Sequence, residues 1–184
     1  VNQPNAERRV LVVGHGYREY QTELDALRPL GVQRIDAGDP ASNTFPEQLK
    51  QAHAILVRET PIPRSYLDAA PELQVIVRYG IGVDNIDLAA ARERRVYVAN
   101  VPEYGIEDVS DHALALYLAL ARRIASRDRA VRQGAWNIGQ REPMQRSATR
   151  CFGLVGYGKI ARAFHRKIRA LGVSRTLIHD PALR

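Results

Sequence analysis

Apolar residues fall along this chain in two alternating rhythms. Val10-Leu11-Val12-Val13 and Ala54-Ile55-Leu56-Val57 are short unbroken apolar runs, as a parallel strand covered on both faces requires. Leu24, Leu27 and Leu30 instead recur at helical spacing, and Pro29-Leu30-Gly31 closes that stripe. Gly14-His15-Gly16 reads as the turn between the first strand and this helix. Further on, Val32 to Ile35 is expected as a short strand, and Leu49 to His53 as the end of a helical turn. Pro63 suits the first turn of a short helix reaching Ala70. Leu73 to Val77 predicts a strand, Leu88 to Arg94 a helix, and Val96-Tyr97-Val98 a fifth strand. The first hundred residues thus predict a five-stranded open α/β unit.

Asn100-Val101-Pro102 interrupts that alternation. One long helix is then expected over Ile106 to Arg127, with Val109, Ala113, Leu116, Leu120 and Ile124 on one stripe. Glu107, Asp108 and Asp111 lie near its start and arginines at its end, as the helix dipole favours. A second helical segment ends at Arg132-Gln133-Gly134-Ala135-Trp136, and residues 137–150 read as a polar loop. The alternation then resumes. Cys151 to Val155 is a strand, Ala163, Phe164, Ile168 and Leu171 mark a helix, and Thr176-Leu177-Ile178 is another strand ending in His179-Asp180-Pro181.

Composition narrows the picture. The chain has 184 residues, 45% of them hydrophobic, enough for one large or two small cores. A single cysteine, Cys151, excludes an internal disulfide framework and suits a reducing cytoplasm; its place at a strand start predicts a buried structural thiol. Val1 to Arg9 lacks the apolar centre of a signal peptide, and the longest apolar stretch, Ala113 to Ala121, is too short to span a bilayer. No membrane partner is expected. The net charge of +7 raises the question of nucleic acid. The basic residues are 24 arginines against three lysines, mostly scattered. The denser group, Arg122, Arg123, Arg127, Arg129 and Arg132, has no aromatics interleaved for base stacking. It reads as a solvated or subunit-contacting face, and no nucleic-acid partner is expected. Part of the positive potential can attract anionic ligands.

The chemistry is densest at Gly156-Tyr157-Gly158-Lys159-Ile160-Ala161, between a strand and a helix. In that setting the first glycine permits a tight turn and the second lets a pyrophosphate reach bare backbone. A small third residue lets helix and strand pack closely. The helix N-terminus adds free N–H groups and a positive dipole end. Asp180, 24 positions after Gly156, closes the following strand. There it can accept from the adenosine ribose hydroxyls and would repel a 2′-phosphate, so the expected cofactor is NAD rather than NADP. An ordinary strand–turn–helix crossover, with Asp180 merely capping or solvated, fits the same letters.

A second glycine turn, Arg78-Tyr79-Gly80-Ile81-Gly82-Val83-Asp84-Asn85-Ile86-Asp87, follows a buried strand directly. Two glycines allow N–H groups to face one way and hold a carboxylate, and the planar guanidinium of Arg78 suits the same anion. A purely structural turn is the alternative. Asp87 reads as the cap of the next helix.

These motifs occur in one order with Asn100-Val101-Pro102-Glu103-Tyr104, Glu107-Asp108-Val109-Ser110-Asp111-His112-Ala113 and Gln133-Gly134-Ala135-Trp136. Together they resemble the D-isomer-specific 2-hydroxyacid dehydrogenase family, which includes phosphoglycerate dehydrogenases, glyoxylate/hydroxypyruvate reductases and C-terminal-binding-protein corepressors. The resemblance runs from about Val10 to Asp180. It implies an α/β protein of two doubly wound parallel-sheet domains. Residues 1–100 would be a flavodoxin-like substrate domain. Residues 101–184 would be the first, incomplete part of a Rossmann NAD domain, opening with a long interdomain and dimer helix. The implied activity is NAD-dependent hydride transfer to or from C2 of a small 2-hydroxy or 2-keto acid. The implied substrate contacts are Arg78 and the amides of Ile81 and Gly82. The implied cofactor contacts are Val109, near the nicotinamide, and Gly156, Tyr157, Gly158, Lys159, Ile160 and Asp180. Arg58 matches a strand-end position that reaches the cleft in phosphoglycerate dehydrogenases.

The family's catalytic arginine, carboxylate and histidine match no residue of this sequence, which ends at Arg184. His15, His53, His112, His165 and His179 do not replace them, so no catalytic residue and no metal ligand is expected here. By this reading the chain is a shortened dehydrogenase, inactive alone and expected to form homodimers. A non-catalytic NAD(H)-binding scaffold of corepressor type is the alternative. A folded substrate domain with a disordered remainder is a third.

Overall fold

The computed structural model describes residues 8–14, 17–136 and 144–183. His15 and Gly16 of the expected first turn, residues 1–7, residues 137–143 of the expected polar loop, and Arg184 lie outside the described residues. The chain divides into two compact units, Val1–Glu103 and Tyr104–Arg184.

The first unit carries five strands: β1 (Val10–Val13), β2 (Ile35–Gly38), β3 (Ala54–Val57), β4 (Val75–Arg78) and β5 (Tyr97–Asn100). They form one parallel sheet in the order β2-β1-β3-β4-β5. The unbroken apolar runs occupy its centre, since β1 and β3 are covered on both faces. Leu11, Val13, Ile55, Val57 and Ile76 face one core. Phe45 and Leu49 of α2 (Phe45–Lys50), Leu67 of α3 (Arg64–Ala69) and Ala90 and Ala91 of α4 (Leu88–Glu93) complete it. Val10, Val12 and Leu56 face the other, under Leu24 and Leu27 of α1 (Gln21–Leu27). Helices on both faces make the unit doubly wound. Its strand order reverses between β1 and β3, so the chain ends that leave β1, β3 and β4 open on the side where such folds take ligands.

Several expected bounds shift: β4 and β5 run later along the chain than the expected Leu73 to Val77 and Val96 to Val98. The second strand is Ile35–Gly38 rather than Val32 to Ile35. Val32 is buried in the connection, after Gly31 closes a 3-10 turn at φ 87°. Pro63 stands just before α3 as its N-cap, one residue earlier than the first helical position. Asp87 caps α4 as expected, its Oδ1 accepting from the Ala90 amide at 2.8 Å.

In the second unit, the long helix expected over Ile106 to Arg127 stops earlier, as α5 (Ile106–Ala121), and the second helical segment begins within its expected span, as α6 (Ile124–Arg132). The break falls at Arg123, which is left-handed at φ 55°. Strand β6 (Cys151–Val155), helix α7 (Lys159–Ala170) and strand β7 (Arg175–His179) follow, with β6 and β7 parallel. Helix α7 is tied to α5 by Lys167, whose Nζ lies 2.7 Å from Asp111 and 2.8 Å from Glu107 and donates to the buried Ser110 hydroxyl at 2.7 Å. Phe152 of β6 packs against Tyr117 of α5 at 4.7 Å and Phe164 of α7 at 6.4 Å between ring centroids. Because side chains alternate along a strand, Cys151, Gly153 and Val155 take the opposite face and are exposed. Cys151 is therefore not the buried thiol expected. No helix among the described residues is long and apolar enough to cross a membrane.

Candidate functional site

Each unit presents a glycine turn at the carboxyl end of a parallel strand. In the first unit the turn follows β4. The Gly80 amide donates back to Arg78 O at 2.8 Å, which bends the chain sharply. The guanidinium of Arg78 then lies across Gly80, where any Cβ would collide with its Nη1. A side chain at 80 would displace that guanidinium from its seat. Arg78 Nε donates to Arg58 O at 3.0 Å, and its terminal amino groups have no acceptor among the described residues. The amides of Ile81 and Gly82 likewise have none, and both residues are exposed. Two N–H groups and a half-buried guanidinium fork are the donors that a carboxylate accepts from.

Neighbouring residues fix this loop. Asn100 Nδ2 donates to Ile81 O at 2.6 Å, and the Val101 amide donates to Gly80 O at 2.9 Å. Asn85 Nδ2 donates to Thr60 O at 2.9 Å and to Arg58 O at 3.3 Å, stapling the turn after β3 to the turn after β4. Tyr79 donates its hydroxyl to Glu23 at 3.0 Å, and burial, then that carboxylate, push its pKa well above the ordinary phenol. Arg58 lies over the Tyr17 ring at 5.3 Å, and Tyr17 packs edge-on against Tyr79. The structural roles of Asn85 and Asn100 escape a sequence reading. Their only sequence signals are that Asn85 follows the Gly80–Gly82 turn and Asn100 opens the break at Val101-Pro102.

In the second unit the turn follows β6. Gly156 has φ 88°, a left-handed conformation that favours glycine, and its amide donates to His179 O of β7 at 2.8 Å. Gly158 is different. Its φ is an ordinary −72°, and a Cβ there would meet nothing within 4 Å. Among the described residues, neither strain nor crowding accounts for glycine at 158. The Arg162 amide donates to Gly158 O at 3.0 Å, closing the first turn of α7. The Ile160 amide, in the first turn of the helix, has no intrahelical acceptor.

Asp180 sits beside this turn, just past β7. Its Oδ2 accepts from the Tyr157 amide at 2.5 Å and its Oδ1 from the Ala182 amide at 2.7 Å. These two bonds, that to Tyr157 first, hold its carboxyl below the ordinary aspartate range, so it is a firm anion. The structure therefore brings Gly156, Tyr157, Gly158 and Asp180 together, with Lys159 and Ile160 opening α7. Val109 is on another element, the first turn of α5, and is half-exposed. His53 accepts from the Arg9 amide at 3.2 Å, and His165 pairs with Tyr157. Among the described residues no group of three or more His, Cys, Asp or Glu side chains is gathered as a metal ion would need.

Known proteins resemble this chain in sequence and fold. The family model described as "D-isomer specific 2-hydroxyacid dehydrogenase, catalytic domain" matches residues 18–176. The glyoxylate reductase of Korarchaeum cryptofilum is 35% identical over 149 residues, covering 79% of this chain and 45% of that protein. The D-3-phosphoglycerate dehydrogenase of Mycobacterium leprae is 38% identical over 136 residues, covering 71% of this chain and 25% of that protein. The crystal structure of the TT0316 protein from Thermus thermophilus superposes with a TM-score of 0.75 at 31% identity, over 96% of this chain and 57% of that one. The chain thus spans from a quarter to under half the length of these two curated relatives.

Proposed function

This chain belongs to the D-isomer specific 2-hydroxyacid dehydrogenases, and from that membership we propose that it carries the ligand-binding parts of an NAD-dependent oxidoreductase acting on a small D-2-hydroxy or 2-keto acid. The observation that carries the reading is Gly158. Among the described residues nothing crowds position 158 and its backbone suits other residues, yet glycine stands there, directly before the first residue of α7. A pyrophosphate laid on the α7 amides supplies the missing reason. Asp180, anionic and fixed beside the turn, accepts from the adenosine ribose and disfavours a 2′-phosphate, hence NAD. Gly156, Tyr157, Gly158, Lys159 and Ile160 are the residues we assign to the dinucleotide, with Val109 towards its nicotinamide end.

In the first unit, Arg78 and the amides of Ile81 and Gly82 hold the carboxylate of the acid. When bound, the nicotinamide supplies the hydride acceptor or donor. The residues of the two turns orient the ligands and bind their charges. No described histidine stands at the Arg78 turn, so proton transfer is not assigned to these residues. The exposed apolar side chains Leu116, Leu120, Ile124 and Trp136 of the α5–α6 region support a homodimer through that region. The lone cysteine supports a cytoplasmic setting.

Titration of the full chain with NADH and NADPH, followed by nicotinamide fluorescence, tests the reading. Saturable NADH binding, with NADPH at least tenfold weaker, is expected. Equal binding of both, or of neither, overturns it. Parallel assays with glyoxylate, hydroxypyruvate and pyruvate establish whether this chain by itself turns over.

A further inference from the structure

The middle residue of the dinucleotide turn is held by more groups than a bare turn needs. The Tyr157 amide donates to Asp180, and Tyr157 O accepts from Arg162 Nε at 3.0 Å. The Arg162 guanidinium lies over the Tyr157 ring, 5.4 Å from its centroid. On the ring's edge, the Tyr157 hydroxyl pairs with His165 Nδ1 at 2.7 Å, and the two rings meet edge-on at 5.7 Å. Backbone N–H, backbone C=O, ring face and hydroxyl are thus all engaged, by β7's trailing acid and by two residues one turn apart on α7.

We propose that His165 and Arg162 are positioning residues that clamp Tyr157, so that the Gly156–Gly158 turn is already shaped before a dinucleotide arrives. The inference rests on the dinucleotide reading above and adds the residues that prepare the site. Neither positioning residue needs to touch the ligand. A flexible glycine turn loses conformational entropy when it closes on phosphates, and a turn held in advance loses less. Tyr157 is the lever, because its side chain is anchored to the rigid flank of α7 while its backbone sits between the two glycines. Arg162 closes the clamp over the ring face and fixes the carbonyl that precedes Gly158. The geometry also gives the hydrogen bond to His165 a directional requirement, since only a group at the Nδ1 position meets the hydroxyl.

His165→Ala, His165→Asn and Tyr157→Phe in the full chain test this. Asparagine places its side-chain oxygen near the Nδ1 position and is the conservative variant. Two readouts are used: hydrogen exchange of the 156–159 amides without nucleotide, and the NADH dissociation constant. His165→Ala and Tyr157→Phe are expected to speed exchange and to weaken NADH about fivefold, the loss of one hydrogen bond. His165→Asn is expected to restore both. The exchange arm needs no nucleotide, so it separates the clamp from the reading it rests on. Unchanged exchange in both His165→Ala and Tyr157→Phe overturns the clamp, whether or not NADH binds. Faster exchange with unchanged NADH affinity overturns its role in binding. A wild-type chain that binds no NADH overturns the dinucleotide reading and that role with it.

Discussion

Gly158→Ala separates fold from function at a single methyl group. In the protein itself the new Cβ meets nothing within 4 Å, and the backbone at φ −72° accepts alanine without strain. Removing a glycine also lowers the entropy of the unfolded chain, so stability should hold or rise by about 0.4–1 kcal/mol. Binding should respond in the opposite direction. If a pyrophosphate rests on the α7 amides as proposed, the methyl group would crowd it and cost it one or two charge-assisted hydrogen bonds. That loss is about 2–3 kcal/mol, or roughly 30- to 140-fold in Kd. Urea unfolding gives the first number and an NADH fluorescence titration the second. A variant that binds NADH as well as wild type would refute the cradle. A variant destabilised by more than about 1 kcal/mol would refute the open geometry in front of Gly158.

Other substitutions test separate parts of the account. Gly80→Ala should push the Arg78 guanidinium off its seat and weaken binding of small carboxylates such as oxalate at least tenfold, measured by calorimetric titration of the full chain. Arg95, which ends α4 in the left-handed region at φ 57°, should stabilise the protein by about 0.5–1 kcal/mol when changed to glycine, read by urea unfolding. Cys151, exposed on β6, should react with one equivalent of an aromatic disulfide reagent in the native 184-residue chain; protection until unfolding would contradict the strand's assigned faces. Asp180 is depressed in the folded protein, so its bonds stabilise above the ordinary aspartate value and are lost as pH falls through its lower folded value. Carboxyl NMR should therefore place its midpoint below that of a free aspartate, and Asp180→Asn should remove the acid transition near the turn.

Much of the first unit was legible because its central strands are buried on both faces. Val10–Val13 and Ala54–Val57 had to be unbroken apolar runs, and their bounds agree with the sequence reading residue for residue. The edge strand β2 was not legible. Ile35-Asp36-Ala37-Gly38 is paired on one edge only and is less fully buried than the central strands, so it needs no apolar run, while buried Val32 drew the reading three residues too early. The α5–α6 break was hidden for a different reason. Apolar spacing continues through Leu120 and Ile124, and neither glycine nor proline marks Arg123. At the sites, the glycines and Asp180 announced themselves by type and order. Their partners did not. That Arg78 would fill the void over Gly80, that Tyr157's amide would bind Asp180 and that His165 would reach Tyr157 depend on how strand ends and helix flanks meet in space.

Amide NMR of the full chain under NADH titration addresses the proposed sites most directly. The account predicts saturable shifts at Gly158 and Ile160 and at the Tyr157 amide beside Asp180, and, on adding oxalate, separate shifts confined to Ile81 and Gly82. Resonances at Gly158 and Ile160 that stay fixed while NADH binds elsewhere, or oxalate shifts that bypass the Arg78 turn, would contradict it.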